Sequence, residues 1–410
     1  MQYGLIGQNL SHSFSPEIHR LLGDYAYQLK ELSPEDLPAF FASRKFAGIN
    51  VTMPYKQAVI PYLDELDRRA AAIGAVNTVV NRGGRLVGYN TDFDGMAALI
   101  RRTGLEVQGK TVLIAGTGGT SRTAMAVAKA LGAAAVYRAG RSGGEGVLSY
   151  AETRELPVQI LINATPCGME PDPEGQAVDL TSFGWLEGVI DAVYNPMRTR
   201  LVLQAREQGA RGQGGLYMLT AQAAAAAELF LGRALPEGTL ERAYRRIHGE
   251  KQNIVLIGMP GSGKTTVGRL LAEKMGRELI DTDEEIARTF GMPVTRIFDE
   301  QGEAAFREAE SRAVARAARK TGCVIATGGG VILRSENLRR LRQNGRLYFL
   351  DRPLELLLPT EDRPLARTAD AMRQRYEERY LRYIAACDAR VHGEGTAQAA
   401  AAEIGEDFRL

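Results

Sequence analysis

The run GMPGSGKT at 258–265 fits G-x-x-x-x-G-K-[ST], with an apolar stretch before it and the helical run TTVGRLLAEKMG after Lys264. Gly258, Gly261 and Gly263 let backbone N–H groups close around phosphate oxygens beside a helix N-terminus, whose dipole favours anions; Ser262 and Thr266 belong to the same turn. In such a turn Lys264 reaches the β- and γ-phosphates and Thr265 ligates Mg²⁺, so the chemistry is phosphoryl transfer from ATP. Beyond it, LIDTDEEI (279–286) puts Asp281 and Asp283 at a strand end, where ligands bind in open α/β sheets. At this spacing one carboxylate can position magnesium water while the other hydrogen-bonds an acceptor hydroxyl. The same pair can equally be an acidic helix N-terminus favoured by the dipole. Arg307, a triple glycine after a strand (Gly328, Gly329, Gly330) and an arginine-rich helix (Arg373, Arg375, Arg379, Arg382) supply donors suited to a carboxylate. Spacing alone does not say which of the helix arginines faces a site.

A second glycine turn lies in TVLIAGTGGTSRTAMAVAKALG (111–132). Gly116 and Gly118 fit the first two positions of G-x-G-x-x-G, and Ser121 replaces the third. The next strand, AAAVYRAGRS, ends in Arg141 and Ser142, where an NAD-binding chain often carries an acid; arginine suits a 2′-phosphate and therefore NADP(H). Four polar clusters precede this segment: SHSFSP (11–16), NVTMPYK (50–56), GAVNT (74–78) and YNTDFDG (89–95). Any one of them reads as a turn or helix cap. Four ahead of a nucleotide segment read as a substrate pocket. Reducing a ketone needs hydride from the cofactor and a proton for the developing alkoxide; a lysine held by an aspartate supplies it, an effect of about 10²–10⁴-fold. Lys56 and Asp92 are the candidates.

Buried strands must carry these residues. TVLIAG (111–116), VQILINA (158–164), GVIDAVY (188–194), NIVLIG (253–258), GCVIATG (322–328) and GRLYFLD (345–351) are apolar almost throughout, separated by helix-length segments. That is the pattern of parallel strands covered on both faces in an α/β protein. AQAAAAAELF (221–230) predicts a packed helix. The chain has 410 residues, enough for two or three domains. RRIHGEKQN (245–253) predicts the main boundary, with a helix stopping at Gly249; a softer one lies near 103–110. A net charge of +2 predicts no nucleic-acid or membrane surface, and three scattered cysteines predict neither a disulfide framework nor a zinc site. The N-terminus shows no secretory signal and no run is long enough to cross a bilayer, so the expectation is a cytoplasmic protein.

The C-terminal runs NIVLIGMPGSGKTTVGRLLA, DTDEEI, FREAE, ATGGGV, DRPLA and RYLRYIAACD follow the order and spacing of shikimate kinase over about 252–395. This resemblance implies that Asp283 binds the shikimate hydroxyls and acts as base, with Asp281 on the magnesium side. Arg307 and Arg379 would clamp the shikimate carboxylate, Gly328 to Gly330 would line the pocket, and Arg363, in a compact lid (LLPTEDRPLA), would approach the phosphates. The four N-terminal clusters, with NATPCGM (163–169), DAVYNP (191–196) and GLYMLTAQA (215–223), resemble shikimate dehydrogenase over about 1–245. Here the resemblance implies that Ser13, Ser15, Thr52, Asn77, Asp92 and Gln222 hold shikimate or 3-dehydroshikimate, with Tyr194 nearby. Lys56 and Asp92 form the catalytic pair; Gly116, Gly118, Gly119 and Arg141 bind NADP(H), with Met218 beside the nicotinamide. His12 reads as structural support and Cys167 as packing.

The fold implied is α/β: a two-lobed dehydrogenase with a Rossmann-like NADP-binding lobe, followed by a P-loop kinase domain whose parallel sheet is flanked by helices. The substrate lobe would be 1–102 plus 221–248, the cofactor lobe 103–220, the linker 249–252 and the kinase domain 253–410. The function implied is reduction of 3-dehydroshikimate with NADPH, then ATP- and Mg²⁺-dependent phosphorylation of shikimate. One alternative puts a quinate/shikimate dehydrogenase in the first position. A non-catalytic ligand sensor is another, but it should have lost one of Lys56, Asp92, Lys264 or Asp283, and all four are present.

Overall fold

The computed structural model describes residues 1–357, 368–392 and 395–408, which separate into two units, Met1–Ile247 and His248–Leu410. Among the described residues the strands form three sheets. The first joins β1 (Tyr3–Gly7), β2 (Tyr27–Glu31), β3 (Gly48–Val51), β4 (Glu65–Leu66), β5 (Thr78–Arg82) and β6 (Arg85–Tyr89) in the order β2-β1-β3-β5-β6-β4. Its β1 pairs parallel to β2 and β3, while β3–β5 and β5–β6 are antiparallel. The β5–β6 register sets Thr78 opposite Tyr89. Asn77 and the segment 90–92 therefore meet at one end of the sheet.

The second sheet joins β7 (Thr111–Ala115), β8 (Ala135–Gly140), β9 (Leu148–Ser149), β10 (Ile160–Asn163), β11 (Gly188–Asp191) and β12 (Arg211–Gln213) in the order β12-β11-β10-β7-β8-β9, parallel throughout. Val112, Leu113 and Ile114 in β7 and Ile160, Leu161 and Ile162 in β10 are fully buried, which is why these strands read as unbroken apolar runs. The strand order reverses between β7 and β10, opening a crevice at their carboxyl ends. Gly116 sits there at φ +123, and a Cβ on it would lie 2.9 Å from the Ala164 oxygen. The alanine-rich stretch is helical, as Leu216–Leu231, and packs against the helices Asp92–Thr103 and Ser15–Leu22. That packing returns Gln222 to the end of the first sheet at which Asn77 lies.

In the second unit β13 (Asn253–Ile257), β14 (Leu279–Asp281), β15 (Val324–Ala326), β16 (Gly345–Asp351) and β17 (Ala389–His392) form a parallel sheet in the order β14-β15-β13-β16-β17. Ile254 to Ile257 are wholly buried; each such aliphatic side chain contributes about 1.5–3 kcal/mol relative to an exposed one. The glycine turn follows β13 and leads into the helix Lys264–Met275. One local expectation fails. The helix expected to stop at Gly249 runs on, as Thr239–Lys251. A glycine costs a helix only about 1 kcal/mol relative to alanine, and the Arg277 guanidinium, 2.6 Å from the Gly249 oxygen and 2.7 Å from the Gln252 oxygen, holds the terminal carbonyls instead. Among the described residues no helix is long and apolar enough to cross a membrane.

Candidate functional site

In the first unit, Lys56 follows β3 by a short turn and Asp92 opens the helix Asp92–Thr103. The lysine Nζ lies 2.5 Å from Asp92 Oδ2, with the carboxylate only 1 % exposed. Asn77 Oδ1 accepts from the Thr91 backbone N–H at 2.7 Å. A main-chain N–H can only donate, so this contact orients the amide and turns Nδ2 toward Asp92 Oδ1 and Gln222 Oε1, each at 3.0 Å. Both Asp92 oxygens are thus engaged, and Gln222 has its Nε2 donor to offer a ligand. Lys56 also stands against the second glycine turn. A Cβ on Gly119, the first residue of the helix Gly119–Ala130, would be 3.3 Å from Lys56 Cβ. The stem of Lys56 is therefore packed against a helix N-terminus, a place that favours phosphate.

A second group forms around Ser13, whose Oγ lies 3.1 Å from Ser15 Oγ and which hydrogen-bonds Tyr194. Burial pushes the Tyr194 phenol up, partly offset by Ser13; its ring packs 5.2 Å from that of Phe14. Thr52 sits just past β3, its N–H donating to the Ile6 oxygen at 3.0 Å. Gly118 caps the helix that Gly119 opens, and Arg141 is exposed just past β8. Met218 is buried in the core around the helix Leu216–Leu231. Two side readings need correction. His12 is exposed rather than supporting the serine cluster, because Phe14 and Ser15 take the buried positions there. Cys167 is exposed rather than packed, in a loop whose Cys167 N–H is held by Thr165 Oγ1 at 3.2 Å.

Asp191, quoted only as part of a motif, proves to hold the crevice together. It ends β11 fully buried and accepts from Asn163 Nδ2 (2.9 Å), the Val193 N–H (2.9 Å) and Thr199 Oγ1 (2.6 Å). It thereby ties the end of β10 to the segment carrying Tyr194. Burial pushes its carboxyl up to about 7, against the pull of those three donors. A carboxyl raised in the folded state binds its proton more tightly there than in the unfolded chain. Its stabilising contribution is complete below about pH 4 and is lost as pH rises through about 7. Calorimetry of wild type and Asp191→Asn should show the wild type's advantage shrinking as pH rises through that window; a pH-independent difference would contradict it.

In the second unit a cavity of about 570 Å³ brings together Lys264, Thr265, Thr266, Asp281, Asp283, Arg307, Gly328 to Gly330 and Arg379, along with Gly261 and Gly263. Gly258 and Ser262 complete the turn: Lys264 Nζ donates to the Gly258 and Met259 oxygens at 2.9 Å and lies 3.4 Å from Ser262 Oγ. Asp281 is the helix cap its spacing allowed, and its second oxygen faces the glycine turn. Its Oδ1 caps the helix Thr282–Phe290 through the N–H groups of Asp283 and Glu284, and its Oδ2 accepts from Thr265 Oγ1 at 2.6 Å. Of the four helix arginines only Arg379 is buried; it donates to the Gly329 oxygen at 3.1 Å. Arg363 lies outside the described residues.

Glu310 was not singled out from the sequence, although FREAE places it three residues after Arg307, on the same helical face. Fully buried, it pairs with Arg307 at 2.9 Å. Glu310 Oε1 and Asp283 Oδ1 are buried without a hydrogen-bond partner among the described residues. Both point at one spot: a Cβ on Gly328 would lie 2.7 Å from the Asp283 oxygen and 2.8 Å from the Glu310 oxygen. Two inward acceptors beside two buried guanidinium groups suit a ligand with hydroxyls and a carboxylate. Burial pushes the Asp283 carboxyl up to about 7, with Asp281 and Glu310 adding to the rise and Lys264 and Arg307 opposing it. Gly330 lies directly under the Arg307 guanidinium, where a Cβ would overlap it. Gly330→Ala should therefore raise KM for the carboxylate-bearing substrate about tenfold or more while leaving KM for the nucleotide unchanged. Steady-state kinetics in each substrate checks this.

Residues 260–409 match the family described as shikimate kinase, and residues 5–79 match the shikimate dehydrogenase substrate binding domain. A shikimate dehydrogenase (NADP(+)) of Geobacillus kaustophilus is 38 % identical over 255 residues, spanning 56 % of this chain and 92 % of that protein. Among solved structures, shikimate dehydrogenase 1 from Peptoclostridium difficile superimposes with a TM-score of 0.57 at 33 % identity, over 60 % of this chain and 98 % of that one. The Thermus thermophilus shikimate 5-dehydrogenase, solved in complex with NADP(H) and shikimate, gives 0.55 at 30 % identity, over 60 % and 99 %.

Proposed function

The chain belongs to the shikimate dehydrogenase family and ends in a shikimate kinase domain, and from that premise we propose that one polypeptide makes shikimate and then phosphorylates it. The first unit reduces 3-dehydroshikimate with NADPH to shikimate, and the second transfers a phosphoryl group from ATP to the shikimate 3-hydroxyl. The observation that carries the pairing is that each unit holds a buried polar site suited to the same hydroxylated acid. One stands beside a dinucleotide-type glycine turn and the other beside a P-loop.

NADPH, when bound, supplies the hydride. The Lys56 ammonium, held by Asp92, donates a proton to the oxygen that the hydride leaves negative. Asn77 keeps Asp92 from turning away, and Gln222 donates to a substrate oxygen from the opposite side of the same amide. Ser13 and Ser15 face the carboxylate end, with Tyr194 beside them. Arg141, exposed past β8, supports the 2′-phosphate preference.

In the second unit Arg307 and Arg379 receive the shikimate carboxylate, and Asp283 accepts the proton of the attacking hydroxyl. Thr265 and Asp281 form an oxygen-only donor set that fits Mg²⁺, which neutralises phosphate charge when bound. Lys264 adds its charge at the turn. Three free cysteines, none in a disulfide, support a cytoplasmic setting. The full chain, given 3-dehydroshikimate, NADPH, ATP and Mg²⁺, should accumulate shikimate 3-phosphate by mass. Arrest at shikimate would remove the kinase half. No consumption of NADPH would remove the dehydrogenase half.

A further inference from the structure

One buried imidazole takes no part in the mechanism above. His19, in the helix Ser15–Leu22, is 1 % exposed, and burial pulls its pKa down to about 3, so the ring is neutral. A neutral imidazole has one donor nitrogen and one acceptor. Its Nδ1 lies 2.6 Å from the Tyr25 hydroxyl, and the Asn50 side chain is its other hydrogen-bond partner. The ring stacks on Tyr27, 3.8 Å between centroids and 8° between planes. Tyr27 in turn donates to Asn50 Oδ1 at 2.7 Å.

The directions of these bonds follow from groups that can act only one way. Asn50 Nδ2 lies 3.3 Å from the main-chain oxygen of Asn77 and 3.0 Å from Thr78 Oγ1. A carbonyl oxygen only accepts, so the Asn50 NH₂ is on that side and its Oδ1 faces Tyr27 and His19. That oxygen accepts from Tyr27 and, in its bond with His19, can only accept a second hydrogen. His19 accordingly carries its hydrogen on Nε2 and accepts from Tyr25 at Nδ1. Thr78, fully buried, continues the path to Asn77 Oδ1 at 3.2 Å. The path ends at the Asn77 amide, which grips Asp92 and Gln222.

We propose that His19 is a positioning residue for the dehydrogenase site: as the Nε2–H tautomer it braces the Asn50 amide, and Asn50, through its bonds to the Asn77 main-chain oxygen and Thr78 Oγ1, braces the Asn77 segment whose side-chain amide, oriented by the Thr91 N–H, holds Asp92 and Gln222. This rests on reading the first unit as a dehydrogenase. The path runs through uncharged groups from end to end, so its function is orientation and not proton transport. A flipped Asn50 would place an oxygen against the Asn77 carbonyl, and the Asn77 segment would have to shift away from it.

The test uses the full chain and shikimate oxidation by NADP⁺. His19→Phe keeps a ring against Tyr27 and removes both nitrogens; His19→Gln keeps a donor and an acceptor. In His19→Phe, kcat/KM for shikimate should fall about tenfold or more, with KM for NADP⁺ within about twofold of wild type, and His19→Gln should recover most of the loss. A loss shared equally between the two substrates, or His19→Gln as impaired as His19→Phe, would mean that the imidazole serves packing alone and would overturn the proposal. So would a His19→Phe enzyme within about twofold of wild type. If His19→Phe does not fold, the imidazole nitrogen NMR shifts of the wild type decide. A neutral Nε2–H ring between about pH 6 and 8 supports the proposal, and the other tautomer or a titration in that range overturns it. A wild-type chain that turns over no shikimate would sink the functional reading instead, with the tautomer measurement still standing.

Discussion

Lys56→Ala should lower kcat for shikimate oxidation by about 10²–10⁴-fold and leave phosphorylation of shikimate by the same protein unchanged. The size of the effect follows from what the amine does at its place. Its stem packs against Gly119 at the start of the helix Gly119–Ala130, Asp92 holds the amine at 2.5 Å, and the amine can give a proton to an oxygen as hydride arrives. Removing it also strands a carboxylate that is 1 % exposed, and breaking such a pair commonly costs about 3–5 kcal/mol. Thermal unfolding should therefore accompany the kinetics, and shikimate binding should be measured directly. Full turnover in a folded Lys56→Ala enzyme would take the lysine out of the mechanism.

Asp283→Asn should be as damaging to the other activity, lowering kcat for phosphorylation by about 10²–10⁴-fold with dehydrogenation intact. It also carries a pH signature. Burial, helped by Asp281 and Glu310, pushes the carboxyl up to about 7, so below that pH the residue holds a proton and cannot take another. With both substrates subsaturating, wild-type kcat/KM should climb as pH rises through about 7 and level off above it. The residual rate of Asp283→Asn should lack that limb. A wild-type profile flat across neutrality would separate Asp283 from the base's role.

Both glycine turns could be read directly because their residues are consecutive and the strand and helix around them are neighbours in the chain. Asp281 shows the limit of such reading. Spacing offered a cap or a site residue as alternatives, and it did not show that one oxygen caps the helix while the other is left to accept from Thr265. Glu310 was invisible for another reason: a glutamate on a helix is ordinarily solvated, and only the packing of that helix over Gly328 buries it. The residue types at 77, 92 and 222 were legible, but the direction in which Asn77 donates was not. That direction is set by the Thr91 N–H across the β5–β6 hairpin. Gly249 misled because glycine's tendency to end helices is weak beside an arginine that reaches the carbonyls from another element.

That arginine bears on anyone who wants to sever the two activities. Besides the grip of Arg277 on the Gly249 and Gln252 oxygens, the Lys251 oxygen accepts from the Gly322 N–H at 2.9 Å. Residues 249–252 thus look like spare tether but are anchorage for the phosphorylating half. A scissile site engineered at 250 would cut away part of that anchorage, so a clean excision belongs upstream, within the helix.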